Sequence, residues 1–527
     1  MKMTTAHSKT QSKQDRGSRL SLSMIVKNEE KFLPDCLESV KGLIDEIVIV
    51  DTGSTDATKE IAARYGARII DFNWIGDFSA ARNHALEQCT GDWVLYLDAD
   101  ERLTDNQENL LRKLITAGGV DAYNVIIENP HSLQQGNFNQ ENSYPRLFRR
   151  LPGVKFEGKV HEQVWPSLMR LKLTVKQSSL AIQHLGYGQG YDVVKQKAER
   201  NLELLKNQLA ADPDDAYAQF QTGNSLVILQ RYDEARPALE LALENSKLDV
   251  TNRASCYNLL AEIEVKRGNL DAAVELCLKS LQLAPRQLMA HWFLSLMYFD
   301  LKLFAKAVEQ LSTIEELIPV PAAQRSNQVA SDLHLRMEDV KKRMAITYEA
   351  AGEFKKALIQ YSNVVELTKA QDGLAGLLKC AEQVEDSRFV IETLGHLTRT
   401  NSASVELFLP LAWYYRKLND LDSAINFIDK AIRAQPANSK AYAFAVRWKM
   451  DTGDVQSAEK TLELAEEKGI RDFELHKAGL QLFLQRGDVN AAFHHLELMS
   501  QTTDADLTPI RNRLAALAEK ISAVSSP

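Results

Sequence analysis

The sequence predicts an α/β domain on a mostly parallel sheet with helices on both faces, followed by an all-α solenoid of helical repeats. Three observations carry this. Over residues 20–190 short apolar runs alternate with amphipathic helical stretches, the pattern of successive βα units. A polar, mostly acid-bearing segment follows most of these runs, at the strand ends where open α/β sheets bind ligands. From Tyr191 onward small alanines recur at a spacing near 34 residues, the period of a two-helix repeat.

Leu20–Val26 reads as the first strand. Asn28 is the expected N-cap of the next helix, with Glu29 and Glu30 in its first turn, where the helix dipole favours negative charge. Phe32, Leu33, Cys36, Leu37 and Val40 give that helix one apolar face. Residues 46–50 form a second strand with Asp51-Thr52-Gly53-Ser54-Thr55-Asp56 at its exit. Ser54 or Thr55 is expected to cap a helix that runs through Tyr65 and ends at Gly66. Residues 67–71 form a third strand, and Asp77 or Ser79 opens a helix carrying Arg82 and Asn83.

Residues 93–97 have no polar break and read as a buried strand delivering Asp98-Ala99-Asp100. Residues i and i+2 of an extended chain point the same way, roughly 6–7 Å apart. Two carboxylates at that distance repel by about 2–3 kcal/mol at an effective dielectric near 20. A divalent cation turns that repulsion into a binding site, and hard oxygen donors suit magnesium or manganese. Residues 144–150 and 154–162 look like antiparallel strands around a turn. Residues 142–176 carry eight Lys or Arg against two acids, whereas residues 51–101 carry ten acids against four Lys or Arg. Opposed clusters in one domain suit a metal-diphosphate, whose oxygens take Arg donors such as Arg146 and Arg149 while its cation takes carboxylates.

The ordered motifs are Met24-Ile25-Val26-Lys27-Asn28-Glu29-Glu30, Ile47-Val48-Ile49-Val50-Asp51-Thr52-Gly53-Ser54-Thr55-Asp56, Ala80-Ala81-Arg82-Asn83, and Gly91-Asp92-Trp93 through Asp98-Ala99-Asp100-Glu101. Over residues 20 to about 190 they resemble the family-2 glycosyltransferases, inverting nucleotide-sugar enzymes of the GT-A fold. The resemblance implies that Asp51 contacts the uracil or equivalent base, Asp98 the ribose, and Asp100 the metal bridging the diphosphate. It places Arg82 and Ala99 near the nucleotide and lines the base pocket with Val26, Asn28 and Glu30. Inverting transfer needs a base for the acceptor proton; in similar enzymes a carboxylate just after the acceptor-side strands serves, which nominates Glu162, with Glu157 in reserve. A histidine near the end of such domains commonly joins the metal, which points to His184, with His161 as the alternative. His161 and Glu162, being adjacent, enter one site only if a turn intervenes.

Beyond residue 190 the chain is helical, starting with a linking helix over residues 191–211. Ala235, Ala273, Ala307, Ala357, Ala424, Ala458 and Ala492 then recur at intervals of 38, 34, 50, 67, 34 and 34 residues. This series resembles tetratricopeptide (TPR) repeats over residues 212–527, about seven or eight helix pairs. The 50-residue step holds an insertion near 316–337, and the 67-residue step hides a degenerate pair near 371–404. Such helices bury their apolar stripes only against neighbours, so they stack into an array with a concave face.

The 527 residues carry 63 Lys or Arg and 71 acids, a net charge of −8, and no basic domain, which argues against nucleic acid. Five dispersed cysteines lack metal spacing and fit a reducing compartment. Residues 1–19 are polar and read as a disordered tail, neither signal nor anchor. No run of 18 apolar residues is present, so no transmembrane segment is expected. Lys27-Asn28-Glu29-Glu30 is the opposite of the glycine-rich turn a dehydrogenase or a nucleotidyltransferase needs, and Asp-x-Asp phosphatases place that motif in an early strand.

The sequence therefore predicts a cytoplasmic, metal-dependent (Mn2+ or Mg2+) inverting glycosyltransferase of hexosyltransferase type, using a nucleotide-sugar, with UDP the expected nucleotide. A protein or peptide held by the repeats is one expected acceptor. The alternatives are a surface-polysaccharide or lipid-linked glycan acceptor, with the repeats used for homodimerisation or for docking a protein partner, and a non-catalytic repeat scaffold. The sugar and the acceptor are not encoded in any motif read here.

Overall fold

The computed structural model describes residues 18–128, 139–185, 191–320, 332–368, 373–400, 402–503 and 505–524. Residues 1–17 of the expected tail (1–19) and residues 321–331 of the expected insertion (316–337) lie outside the described residues. The chain forms two compact units that part at Met337/Glu338, at the end of the stretch where the sequence places the insertion.

The first unit begins with β1 (Leu20–Val26), α1 (Leu33–Ser39), β2 (Glu46–Asp51), α2 (Thr58–Arg64), β3 (Arg68–Asp71), α3 (Phe78–Gln88) and β4 (Trp93–Tyr96). It continues through β5 (Glu101–Leu103), α4 (Glu108–Thr116), β6 (Ala122–Glu128), β7 (Asn139–Arg149), α5 (Trp165–Arg170) and β8 (Val175–His184). The sheet order is β3-β2-β1-β4-β7-β6-β8-β5. Its first four strands run parallel, as the βα reading requires. Beyond them β7 is antiparallel to β4 and β6, and β8 is parallel to β6 but antiparallel to β5. The sheet is thus mixed on its far side.

Alternation along the strands sends side chains to two cores. Leu20, Leu22, Met24, Trp93, Leu95 and Leu97 pack with Leu33, Cys36 and Leu37 of α1, Ile61 of α2 and Leu111 and Ile115 of α4. Val48, Val50, Val94 and Tyr96 face the other way, onto Ala81, Ala85 and Leu86 of α3 and Leu168 of α5. Each fully buried large side chain contributes roughly 1.5–3 kcal/mol. Gly91 sits where β1 and the entry to β4 nearly touch: a Cβ there would lie 2.5 Å from Ser21 Oγ and 2.9 Å from Ser21 N.

Local expectations are corrected at three places. Asn28 is not an N-cap; its backbone is left-handed (φ 56°) and α1 starts only at Leu33, where Pro34 suits the first turn. Neither Ser54 nor Thr55 caps α2, whose first amide, that of Thr58, bonds Asp56 Oδ1 instead at 3.1 Å. Residues 154–162 form no strand; a single bridge, Glu157 to Gln163, closes a turn. Asp77 does cap α3, accepting from Ala80 N at 3.0 Å.

α6 (Tyr191–Ala211) leads into three helix pairs, α7 (Ala216–Ile228) with α8 (Tyr232–Glu244), α9 (Val250–Lys266) with α10 (Leu270–Leu283), and α11 (Leu288–Asp300) with α12 (Phe304–Leu317). A short strand, β9 (Asp332–His334), then pairs antiparallel with residues 139–141 of β7. The second unit holds five further pairs from Met337–Ala350 to Val489–Ser500, then Thr508–Val524. Leu374–Gln383 and Ser387–Thr400 are the pair expected in the degenerate stretch. All seven register alanines are fully buried, where small side chains let the helices of a pair approach. Asp215, Asp249, Asp420, Asn438, Asp454, Asp472 and Asp488 each cap a repeat helix by accepting a first-turn amide, roughly 1 kcal/mol apiece.

Candidate functional site

The exits of β1 and β4, the turn at 160–164 and the helices α6 and α7 enclose one cavity of about 480 Å³. Its floor is ionic. Asp98, at the end of β4, accepts from Arg82 Nη2 at 2.6 Å, and Arg82 Nε donates to Glu162 Oε1 at 2.5 Å. The guanidinium is buried between the rings of Tyr96 (4.9 Å) and Phe156 (5.7 Å). Arg146 lies 4.3 Å from the same Tyr96 ring, donates to Glu101 Oε1 at 2.7 Å and stands 3.8 Å from Asp98 Oδ2. Glu101 also accepts the Asp98 amide at 2.8 Å, which fixes the turn of the Asp-Ala-Asp segment.

Charge balance sets the protonation states. Burial opposes ionisation of Asp98, but Arg82 and Arg146 outweigh it and hold the carboxyl well below its usual range. Asp100 is lowered as well: burial resists, and the hydrogen bond from His184 prevails. His184 Nε2 lies 3.3 Å and Lys197 Nζ 3.6 Å from Asp100 Oδ2. Burial would discharge His184, yet its bond to Asp100 and that carboxylate's field raise it. Glu29 moves the opposite way, to about 7, pushed by burial and then by the field of Asp100. Acidic groups that repel one another around Asp100, beside an imidazole, form a donor set suited to a hard divalent cation.

Of the expected residues, Val26, Arg82, Asp98, Ala99, Asp100, Arg146, His161, Glu162 and His184 all line this cavity. His161 and Glu162 do so together because His161 takes a left-handed backbone (φ 53°), the intervening turn that the argument required. Burial lowers the His161 imidazole to about 4, and Arg200 adds to this; His184, not His161, is the histidine paired with Asp100.

Four expected residues do not line it. Asn28 and Glu30 instead bind the β1 exit to the β2 exit: Asn28 Oδ1 accepts from Thr55 N at 2.8 Å, and Glu30 Oε2 accepts from Ala57 N at 3.1 Å. Asp51 is buried and folds its own turn, Oδ1 accepting from Gly53 N and Ser54 N at 2.9 and 2.8 Å, while Thr52 beside it reaches the cavity. Arg149 donates to Val120 O at 3.0 Å and covers Trp93 on another part of the sheet. The reserve carboxylate Glu157 pairs with Arg170 outside the cavity.

Further walls come from residues outside the expected site set. Trp74 and Phe78 come from the β3–α3 region, Lys197, Arg200 and Asn201 from α6, and Tyr217 and Gln221 from α7. The Tyr217 hydroxyl accepts from Gln163 Nε2 and Gln221 Nε2, both at 2.9 Å, and donates to His161 O at 3.5 Å. The signal for Trp74-Ile75 was present: two large apolar residues in a loop, 37% and 67% exposed.

Comparison with known proteins places names on both halves. Residues 21–172 match the Glycosyl transferase family 2 profile, and tetratricopeptide repeat profiles match 196–249, 254–287 and 405–438. A TPR repeat-containing protein of Synechococcus elongatus is 36% identical over 265 residues, 49% of this chain and 64% of that protein. The SPbeta prophage-derived glycosyltransferase SunS of Bacillus subtilis is 28% identical over 260 residues, 47% of this chain and 60% of SunS. The chain thus spans about three-fifths of the length of these curated relatives. The crystal structure of S. aureus TarS aligns at 18% identity over 48% of this chain and 54% of that one, with a TM-score of 0.29, too low to carry an argument. No described helix is long and apolar enough to cross a membrane.

Proposed function

We propose that this chain, with its family-2 glycosyl transferase domain ahead of tetratricopeptide repeats, transfers a sugar from a nucleoside-diphosphate sugar to a polypeptide acceptor with inversion. The observation that carries the reading is the Asp98–Arg82–Glu162 chain of contacts in one cavity with Asp100, at the carboxyl ends of parallel strands. In this reading the donor's base lies against Ile25, Val26 and Thr52, and its ribose meets Asp98. Asp100 and His184 would hold the divalent cation expected of the family, which when bound supplies positive charge to the departing diphosphate. Lys27, Lys197 and Arg200 add cationic charge on the same walls.

The acceptor oxygen attacks the anomeric carbon opposite the diphosphate; the bond to the diphosphate breaks and its electron pair leaves with the nucleotide. The acceptor proton passes to Glu162. Arg82 occupies Oε1 of that carboxylate, which leaves Oε2, without a partner among the described residues, to receive it. Arg82 is therefore a positioning residue for both Asp98 and Glu162. A polypeptide acceptor is favoured because the linking helix α6 and the first repeat helix, α7, form one wall of the cavity.

The test is donor turnover. The full-length chain with Mn2+ or Mg2+ is expected to hydrolyse one of a panel of UDP- and GDP-sugars slowly without acceptor, and Asp100→Asn to abolish this while keeping its far-UV spectrum. Unchanged turnover in Asp100→Asn refutes the assignment. Glu162→Gln is expected to lose rate with donor affinity kept; loss of donor affinity instead moves the base elsewhere.

A further inference from the structure

The geometry points to a second metal site, for zinc, in the C-terminal repeats, held by His476, His495 and Glu466. The three come from consecutive helices, Val455–Glu467, Phe473–Arg486 and Val489–Ser500, and one ligand atom from each lies within 4.8 Å of the others. His476 and His495 are 1% and 3% exposed. Their Nδ1 atoms face each other at 3.4 Å, and His495 Nδ1 lies 3.7 Å from Glu466 Oε1. Two nitrogens held about 2.0–2.1 Å from one tetrahedral zinc stand about 3.3–3.4 Å apart, so the two rings already sit at a ligand-to-ligand spacing. A shared N–H hydrogen bond would draw them closer, toward about 3.0 Å.

The surroundings are shaped for the ring positions. Gly479 allows His495 to approach, since a Cβ there would lie 2.7 Å from its Nδ1. Phe483 stacks on the His495 ring at 5.3 Å and 14°. Burial keeps both imidazoles in the neutral, ligating form, His495 down to about 4. Glu466 is the partly exposed member, which leaves a fourth position to water, the three-ligand pattern of an open zinc site. His476 Nε2 has no hydrogen-bond partner among the described residues, whereas a ligating histidine normally donates its second N–H to a carboxylate or carbonyl; that lack is worth 10–100-fold in affinity. Binding is therefore expected in the micromolar range. Bound there, zinc would tie the last two helix pairs together through one atom.

The experiment uses the full chain, stripped with chelator, in the Asp100→Asn background so that the catalytic crevice contributes no ligand pair. Titration with Zn2+ is expected to show one equivalent bound and a raised melting transition; Co2+ is expected to give the visible absorption of a tetrahedral site, bleached by Zn2+. Glu466→Gln, at an exposed position, is expected to keep the fold and weaken binding at least tenfold, and His495→Gln to remove it. Absence of a bound equivalent at tens of micromolar free zinc overturns the site. So does binding that Glu466→Gln leaves unchanged, which also decides the matter if His495→Gln fails to fold.

Discussion

The α/β region and the repeats fill their interiors by opposite means. Beneath the crevice the chain buries two guanidiniums, Arg82 and Arg146, and spreads three carboxylates around them at 2.5–2.7 Å. At the matching depth of the repeats stand mostly alanines, with a few buried ionisable groups such as Glu264, His476 and His495, and with aspartates kept to the surface as helix caps. A buried ion pair adds little net stability over an apolar filling, but removing one member leaves an uncompensated charge. The crevice is therefore brittle to single changes and chemically equipped. The repeats are tolerant of surface change and sensitive to volume.

The largest test of that contrast is Arg82→Ala. It leaves Glu162 without its cation and Asp98 with Arg146 alone, at 3.8 Å, and is expected to cost about 3–5 kcal/mol in urea unfolding, with donor turnover lost. A cost below about 1 kcal/mol would mean that water already carries those carboxylates. Ala235→Leu is the counterpart in the repeats: overpacking at a fully buried register position is expected to cost about 1–3 kcal/mol, with the α/β spectrum unchanged. Tyr217→Phe removes a hydroxyl bonded to Gln163 and Gln221 and is expected to cost about 1 kcal/mol. Transfer to acceptor should fall more than donor hydrolysis; equal losses would make Tyr217 a structural residue only.

The smallest effect sharpens the charge side. The Glu29 carboxyl has its folded-state value near 7, above its ordinary 4.5. Between those values the folded chain holds a proton that the unfolded chain has released, so stability falls as pH rises from 4.5 through 7. In metal-free buffer Glu29→Gln is expected to remove that fall, read as melting temperature at pH 5 and pH 8.

The same contrast decides what could be read from the residues alone. The repeat register was legible at Ala235, Ala273 and Ala458 because tight helix packing leaves one small residue at a fixed period. The strand exits were legible at Asp98 and Asp100 because a buried apolar run ends on them. What stayed hidden was pairing between distant segments. Asn28, Glu30 and Asp51 carry motif chemistry, yet hydrogen bonds spend it on joining two loops and closing a turn. Lys197 and Tyr217 enter the cavity only because α6 and α7 pack where they do, and no local pattern encodes that. The 154–162 stretch looked extended because it is rich in Val and Phe, but Gly158 (φ 98°) and His161 (φ 53°) turn it.

β9 has a consequence for how the chain is made. Its ladder with β7 joins Asn139 to His334, a separation of 334 − 139 = 195 residues. At roughly 5–20 residues per second of synthesis, β7 waits about 10–40 seconds for that partner. During the interval its outer end leaves the ribosome as an open edge, and six repeat helices emerge before the strand that covers it arrives.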